Sequence, residues 1–331
     1  MKSKTSFFGI GLLLLAAVLW GFGFTAQSMA LDRIGPYTLS FIRNLLAGIF
    51  LIFCIMLFDR KTDRRLFSRS KKGIRIDFTK TEIIGGVFCG VALCVASNLQ
   101  QFSIAGGTDT GTAAFITSLY MIFVPIIGLF RGKFPSVRVW GCVIGALIGF
   151  YLLSANIVFT GSGIGGFFAS LFNSGFRFAA SDLLMLLGAV IFAVHIIIID
   201  HFSPSTDGVR LSCIQVFTAS LISLPLMLIL ERPVLSDILA SALPILYLAV
   251  FSSGIAYTAQ IVGQKHVDVT IASIVLSLES IFGALFGFLF LNETKNAVQT
   301  VGCLLVFAAV VISQLPSKVK ESKSNNSENA N

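Results

Sequence analysis

Charge is what this sequence has least of. Asp, Glu, Lys and Arg together make up 12% of its 331 residues, about half of the ~25% that a water-facing surface carries. That shortfall excludes an ordinary soluble domain. Histidine is scarce as well, at three. The six cysteines (Cys54, Cys89, Cys94, Cys142, Cys213, Cys303) all fall inside apolar runs without metal-ligand spacing. They read as small hydrophobes, and no metal site is expected. A nucleotide-binding loop, a zinc motif and a nucleophile elbow are all missing. Transport driven by ATP within this chain therefore has no residues to carry it, and no cofactor is expected.

Apolar sequence is what takes their place. Hydrophobic residues reach 55%, with 32 Phe, and the mean hydropathy is +0.89. Apolar segments recur at about residues 7–30, 36–58, 82–104, 108–130, 139–155, 181–201, 210–230, 241–263, 269–290 and 297–315. At 1.5 Å per helical residue each spans, or nearly spans, the ~30 Å of a bilayer's hydrocarbon. Lipid satisfies no backbone polar group, so these segments must be helices. The expectation is an all-α integral membrane protein of about ten transmembrane helices. Lys2 and Lys4 before the first run resemble a signal peptide's start, but the run is long and has a later copy, so we read it as a retained helix.

The formal charge of +8 does not point to nucleic acid, because the basic residues sit mainly between apolar runs. If the N-terminus is cytoplasmic, 19 of the 24 Lys and Arg fall in inside segments and 4 (Arg33, Arg177, Arg232, Lys295) outside, with Arg43 inside a helix. Such a bias places both termini in the cytoplasm and the protein in the plasma (inner) membrane. Residues 316–331, rich in Lys, Ser and Asn, read as a disordered cytoplasmic tail. Residues 156–180 read as an external Gly/Phe-rich connector, its aromatic stretch lying in the membrane interface.

The chain also repeats itself. A shift of 159 places Gln101 on Gln260, Asp109 on Asp268, Ser118-Leu119 on Ser277-Leu278 and Gly128 on Gly287. Near the start, a shift of 172 places Leu14-Leu15 on Leu186-Leu187 and Leu39-Ser40 on Leu211-Ser212. Two units follow, 7–155 and 181–315, of five helices each. An odd number of crossings makes the second copy enter the membrane from the opposite side, so the repeats are inverted. The charges agree, since the loop between the second and third helices carries nine basic residues and its counterpart only Arg232. Inverted halves that exchange conformations open one side while closing the other, which is alternating access.

These features carry a resemblance. Leu19-Trp20-Gly21-Phe22-Gly23-Phe24 in the first helix, Pro36 and Arg43-Asn44 in the second, and Ser277-Leu278-Glu279, Phe290-Leu291-Asn292-Glu293 and Gly302 near the end make the chain similar to EamA-type members of the drug/metabolite transporter superfamily, over about residues 7–315. The resemblance implies secondary transport, as an exporter, of a small organic metabolite such as an amino acid or a related amphipathic compound. An intramembrane enzyme would need a converging catalytic set, for which only Glu279 and His195 offer themselves. A channel or sensor scaffold would need polar periodicity along whole helices, and none shows it.

Intramembrane polar residues are the candidate site. Glu279 is the one acidic residue inside an apolar run away from its ends, where a carboxylate is costly unless paired, protonated or wet. Tyr120 is its counterpart in the fourth helix. Trp20 lies at mid-depth rather than in the interfacial belt, beside Gly21 and Gly23. Arg43 lies about two turns inside the second helix and suits a carboxylate, with Gln215 at the equivalent place. Trp20, Arg43, Tyr120 and Glu279 are the substrate-binding candidates. Asn98 and Gln101, with counterparts Tyr257 and Gln260, are expected toward opposite surfaces as gating or interhelical polar groups. Glu279 and His195 are candidates for proton coupling, although His195, alone on an apolar face, reads first as a satisfied core histidine. Asp200-His201 reads as a solvated helix end. The expected partners are a small-molecule substrate and the lipid bilayer, and the face Gly141/Gly145/Gly149 fits packing within one chain or in a homo-oligomer.

Overall fold

The computed structural model describes residues 6–59, 67–70, 73–130, 132, 136–154, 180–292 and 297–314. The tail, most of the 156–180 connector, and Arg131, Lys133, Glu293 and Lys295 lie outside the described residues. Among the described residues, ten helical segments of at least 18 residues follow one another: α1 Phe7–Leu31, α2 Pro36–Phe58, α3 Lys80–Ala105, α4 Thr110–Phe130, α5 Val137–Ser154, α6 Ala180–Phe202, α7 Gly208–Leu230, α8 Ala242–Gln264, α9 Val269–Leu291 and α10 Ala297–Gln314. Eight of the described helices are long and apolar enough to cross a membrane. Val137–Ser154 and Ala297–Gln314 stand at the two remaining predicted positions.

Each start has a local cause. Thr79 and Glu82 close a reciprocal capping box on α3. Asp109 caps α4 and Asp268 caps α9 through their side chains, so one matched pair of the 159-residue shift is a pair of helix starts. Pro36 opens α2, where its missing N–H costs nothing. The hairpin β1 Phe67–Ser70 with antiparallel β2 Gly73–Ile76 was not expected in the basic loop after α2. A short helix, Leu235–Ala240, precedes α8.

The interior is the reverse of a soluble protein's. Large apolar side chains face outward, among them Phe88, Leu228 and Leu285, as lipid requires. Polar ones are shut inside, among them Gln101, Gln215, Gln260, Ser253 and Glu279. Asp200 is buried, not solvated as expected, whereas His201 is exposed. The main apolar cluster joins α1, α4, α6 and α9 through Leu13, Phe24, Met121, Met185 and Ile274. At Gly21 a Cβ would fall 2.3 Å from the Phe282 Cβ, so α1 and α9 approach closely only because residue 21 has no side chain.

Helix pairing carries the symmetry. α1 packs on α9 as α6 packs on α4; α1 on α8 as α6 on α3; α2 on α8 as α7 on α3. The pairs α2–α7, α4–α9 and α5–α10 map onto themselves. Exchanging each helix for the one five places on leaves this set unchanged, the mark of a pseudo-twofold between inverted repeats. On that axis the Ser118 hydroxyl donates to the Ser277 carbonyl at 3.2 Å, across 159 residues.

Sidedness follows from contacts at the helix ends. Ser6 N donates to the His266 carbonyl, Asp207 N to Glu82, and Arg210 to Asp59. One face therefore gathers the N-terminal end and the α2–α3, α6–α7 and α8–α9 connections. Lys265 there donates to the Thr206 carbonyl. Partial burial lowers its ammonium below the ordinary lysine value, with Asp207 and Glu82 opposing. The small face of α5 is partly open: among the described residues nothing lies within 4 Å of a Cβ placed at Gly141 or Gly145.

Candidate functional site

A cavity opens where α1, α2, α3, α4, α6, α8 and α9 converge. About 40 Å³ there is open to the centre of a water-sized sphere, within about 470 Å³ of non-atom space that includes open solvent. Trp20, Arg43, Tyr120 and Glu279, the four substrate-binding candidates, all line it. So does His195.

Two matched helix breaks bring Tyr120 and Glu279 there. α4 is interrupted at Leu119, between Thr110–Ser118 and Tyr120–Phe130. α9 is interrupted at Ser277-Leu278, between Val269–Leu276 and Glu279–Leu291. Tightened i to i−3 bonds mark both: Leu119 N to Ile116 O and Ile122 N to Leu119 O in one, Leu278 N to Val275 O and Ile281 N to Leu278 O in the other. Tyr120 and Glu279 thus each begin a new half-helix. An acid suits such a start, because the first N–H groups of a helix carry partial positive charge. The two side chains stand within electrostatic reach, but neither the Tyr120 hydroxyl nor Glu279 Oε1 meets hydrogen-bond geometry with any described residue.

Arg43 is 3% exposed and makes no ion pair among the described residues. Its Nη1 reaches Gln27 Oε1 at 3.5 Å. With the Gln101 amide turned to suit its neighbours, Gln101 donates to Pro36 O at 2.7 Å and accepts from Arg43 Nη2 at 3.2 Å. Nε stays unpartnered. The cation is therefore held by neutral amides, with one donor left over on a residue that lines the cavity. His195 Nε2 pairs at 3.1 Å with Gln215 Oε1, the residue that matches Arg43 in the second repeat.

Trp20 has a fixed seat. Its Nε1 donates to Ser252 O at 3.1 Å, and its ring lies 4.9 Å from that of Tyr257. Tyr257 in turn meets the His195 ring edge-on at 5.8 Å. Of the two polar pairs, Tyr257 and Gln260 line the cavity itself, while Asn98 bonds back to Cys94 O in α3 and lies outside it. The reason is in α8, which is wound as a π-helix over Leu248–Ala256 immediately before Tyr257. Wider turns re-aim every following side chain.

Gln27, Gln100, Thr117 and Ser252 also line the cavity without having been singled out. Gln100 donates to Thr117 at 3.1 Å. Gln27 carried a legible signal, a carboxamide inside the first apolar run. Unpartnered buried atoms gather here: Arg43 Nε, Tyr120 Oη, Gln260 Oε1 and Glu279 Oε1. Each such atom costs about 1–3 kcal/mol if left dry and unpaired. Their clustering around empty space, with one cation and one carboxylic acid, suits a small polar molecule that bears both kinds of group.

A multi-pass helical fold of inverted repeats around a central polar cavity defines a membrane transporter rather than an enzyme. The EamA-like transporter family matches twice, over residues 7–155 and 179–314; the chain belongs to that family. It is 27% identical over 305 residues to an uncharacterized transporter of Archaeoglobus fulgidus, covering 92% of this chain and 84% of that protein. It is 24% identical over 306 residues to a WAT1-related chloroplastic protein of Arabidopsis thaliana, covering 90% and 67%. One solved crystal structure shares the fold at a TM-score of 0.64 and 17% identity, over 92% of this chain and 96% of that one.

Proposed function

We propose that the protein is a secondary transporter that exports a small zwitterionic metabolite, an amino acid or a close relative, from the cytoplasm across the plasma membrane by alternating access. The observation that carries this reading is the pairing of two unneutralised groups in one cavity. Arg43 comes from the first repeat and Glu279 from the second, and both line the same space. A charge isolated at mid-membrane costs roughly 2.5–3.5 kcal/mol even on the mildest scale. A substrate with a carboxylate for Arg43 and an ammonium for Glu279 would offset both terms at once. Trp20, Tyr257, Phe24 and Phe192 supply apolar and aromatic walls for its side chain.

The energy source in this reading is an ion gradient, with Glu279 exchanging its proton against the substrate's ammonium. Outward direction and cytoplasmic termini rest on the family resemblance and on the distribution of Lys and Arg. Flux of a labelled amino-acid and metabolite panel into proteoliposomes, with and without a pH gradient, tests the whole reading. Saturable movement of one zwitterion is expected, with its pH-gradient dependence lost in Glu279→Gln. Full retention of that dependence in the variant would remove Glu279 from coupling. Transport of anions or uncharged compounds alone would overturn the zwitterion.

A further inference from the structure

The helices α2 and α7 cross near their middles and are tied together at both ends, and the two ties are symmetry mates. At the middle a Cβ on Gly48 would fall 2.7 Å from the Phe217 ring, and Ser220 donates to the Phe41 carbonyl at 3.2 Å. At the face that carries Ser6, Arg210 near the start of α7 grips Asp59 at the end of α2. One guanidinium nitrogen reaches both carboxylate oxygens, at 2.7 and 2.9 Å. The other donates to the Asp77 carbonyl at 2.6 Å, with the Phe78 ring 6.0 Å away.

At the opposite face the partners exchange helices. Glu231 at the end of α7 accepts from Tyr37 N and Thr38 N at 2.8 Å each, and from the Thr38 hydroxyl at 2.6 Å. The shift of 172 residues that relates the early parts of the two repeats carries Asp59 onto Glu231 and Thr38 onto Arg210. The same shift carries Gly35 onto Asp207. Asp207 caps α7 from within its own chain segment, accepting from Val209 N and Arg210 N. Gly35 has no side chain, so the equivalent amides of α2 lie bare, and Glu231 caps them from across the helix pair. A Cβ at Gly35 would fall 2.3 Å from the Glu231 carboxyl carbon. The seat exists because the glycine leaves it open.

We propose that Asp59–Arg210 and Glu231–Thr38 are the two gate latches of the transport cycle, one holding while the other releases. A rigid pair of helices pinned at its centre cannot open at one end without pressing the other together. Both latches are closed in this structure, so each open state requires breaking one of them. This inference rests on the transporter reading, but its test does not depend on the substrate.

Spin labels placed on exposed positions at each face read the two ends separately. In a background with the native cysteines replaced by serine, Arg33→Cys with Arg232→Cys reports the Glu231 face, and Phe58→Cys with Ser205→Cys the Asp59 face. Electron–electron resonance in nanodiscs then gives the distances. Glu231→Gln is expected to shift only the first distance outward, and Asp59→Asn only the second. Gly35→Asp should reproduce the Glu231→Gln shift with Glu231 intact, because it supplies in place the cap that the second repeat already has. The exchange Asp59→Arg with Arg210→Asp should restore the closed distance, which a loss of general stability would not do. The inference is overturned if both distances move outward together on one substitution, or if neither responds. Side-specific shifts in a protein that moves no compound would leave the latches standing and remove the transporter reading instead.

Discussion

In the first half of the molecule the fourth helix breaks at Leu119 and resumes with Tyr120; in the second the ninth breaks at Leu278 and resumes with Glu279. The backbone event is the same, down to the i to i−3 bonds on either side. The side chain that follows is not. The contrast recurs on α2 and α7, where Arg43 faces Gln215, and again at their starts, where Gly35 faces Asp207. Symmetry is thus kept in these two helix breaks and abandoned in the side chains that follow them, as the proposed zwitterionic substrate with two different ends would require.

Making the halves alike is the way to test that division. Arg43→Gln gives both repeats the same residue at this position, and in the reading above it removes the carboxylate's partner. Loss of one member of a buried charged pair costs about 2–5 kcal/mol, so the apparent substrate KM should rise by about 30-fold or more in a flux assay, with the protein folded. A KM unchanged by Arg43→Gln would separate the cation from substrate binding.

Next in size is Gly21→Val, aimed at the shared backbone. Overpacking a tight crossing costs about 1–3 kcal/mol, here against Phe282 and Gly283. Thermal unfolding in detergent should move downward by several degrees while Arg43→Gln leaves it in place. Trp20→Ala sharpens the comparison from the other side, since the sixth helix has no Trp-Gly of its own. It removes the bond to Ser252 and the contact with Tyr257, and should weaken aromatic substrates by about 2- to 12-fold, as expected for a lost aromatic contact of 0.5–1.5 kcal/mol, and aliphatic ones less. Smallest is Ser118→Ala. It deletes the hydrogen bond across the axis to Ser277 and should lower stability by about 0.5–1.5 kcal/mol, without changing substrate preference.

Much of the architecture was legible in the residues, because lipid enforces long apolar runs and inverted repeats leave collinear matches. The positions Ser118-Leu119 and Ser277-Leu278, matched by shift alone, turned out to be the two helix breaks. Asp109 and Asp268, matched likewise, turned out to be the two caps. What was not legible depends on local winding or on distant partners. The π-helical stretch of α8 has no strong residue signature, so Tyr257 and Gln260 were expected away from the cavity they line. Asp200 looked solvated because it adjoins a helix end, yet it is buried. The strands 67–70 and 73–76 sit in a basic loop whose only alternation, Ile74-Arg75-Ile76, is too short to announce them. Gln100 and Thr117 reach the cavity as a hydrogen-bonded pair whose members are 17 residues apart, a juxtaposition that only the packing of α3 on α4 creates.

The central claim is that one substrate site is exposed alternately to the two faces. Counterflow tests it most directly: proteoliposomes loaded with an unlabelled zwitterion that the protein carries, diluted into a trace of the labelled compound, with no ion gradient. The account predicts transient accumulation of label above equilibrium, shifted to much higher substrate concentration in Arg43→Gln. Label that only equilibrates, at a rate linear in concentration, would mean a continuous pore through the cavity and would contradict alternating access.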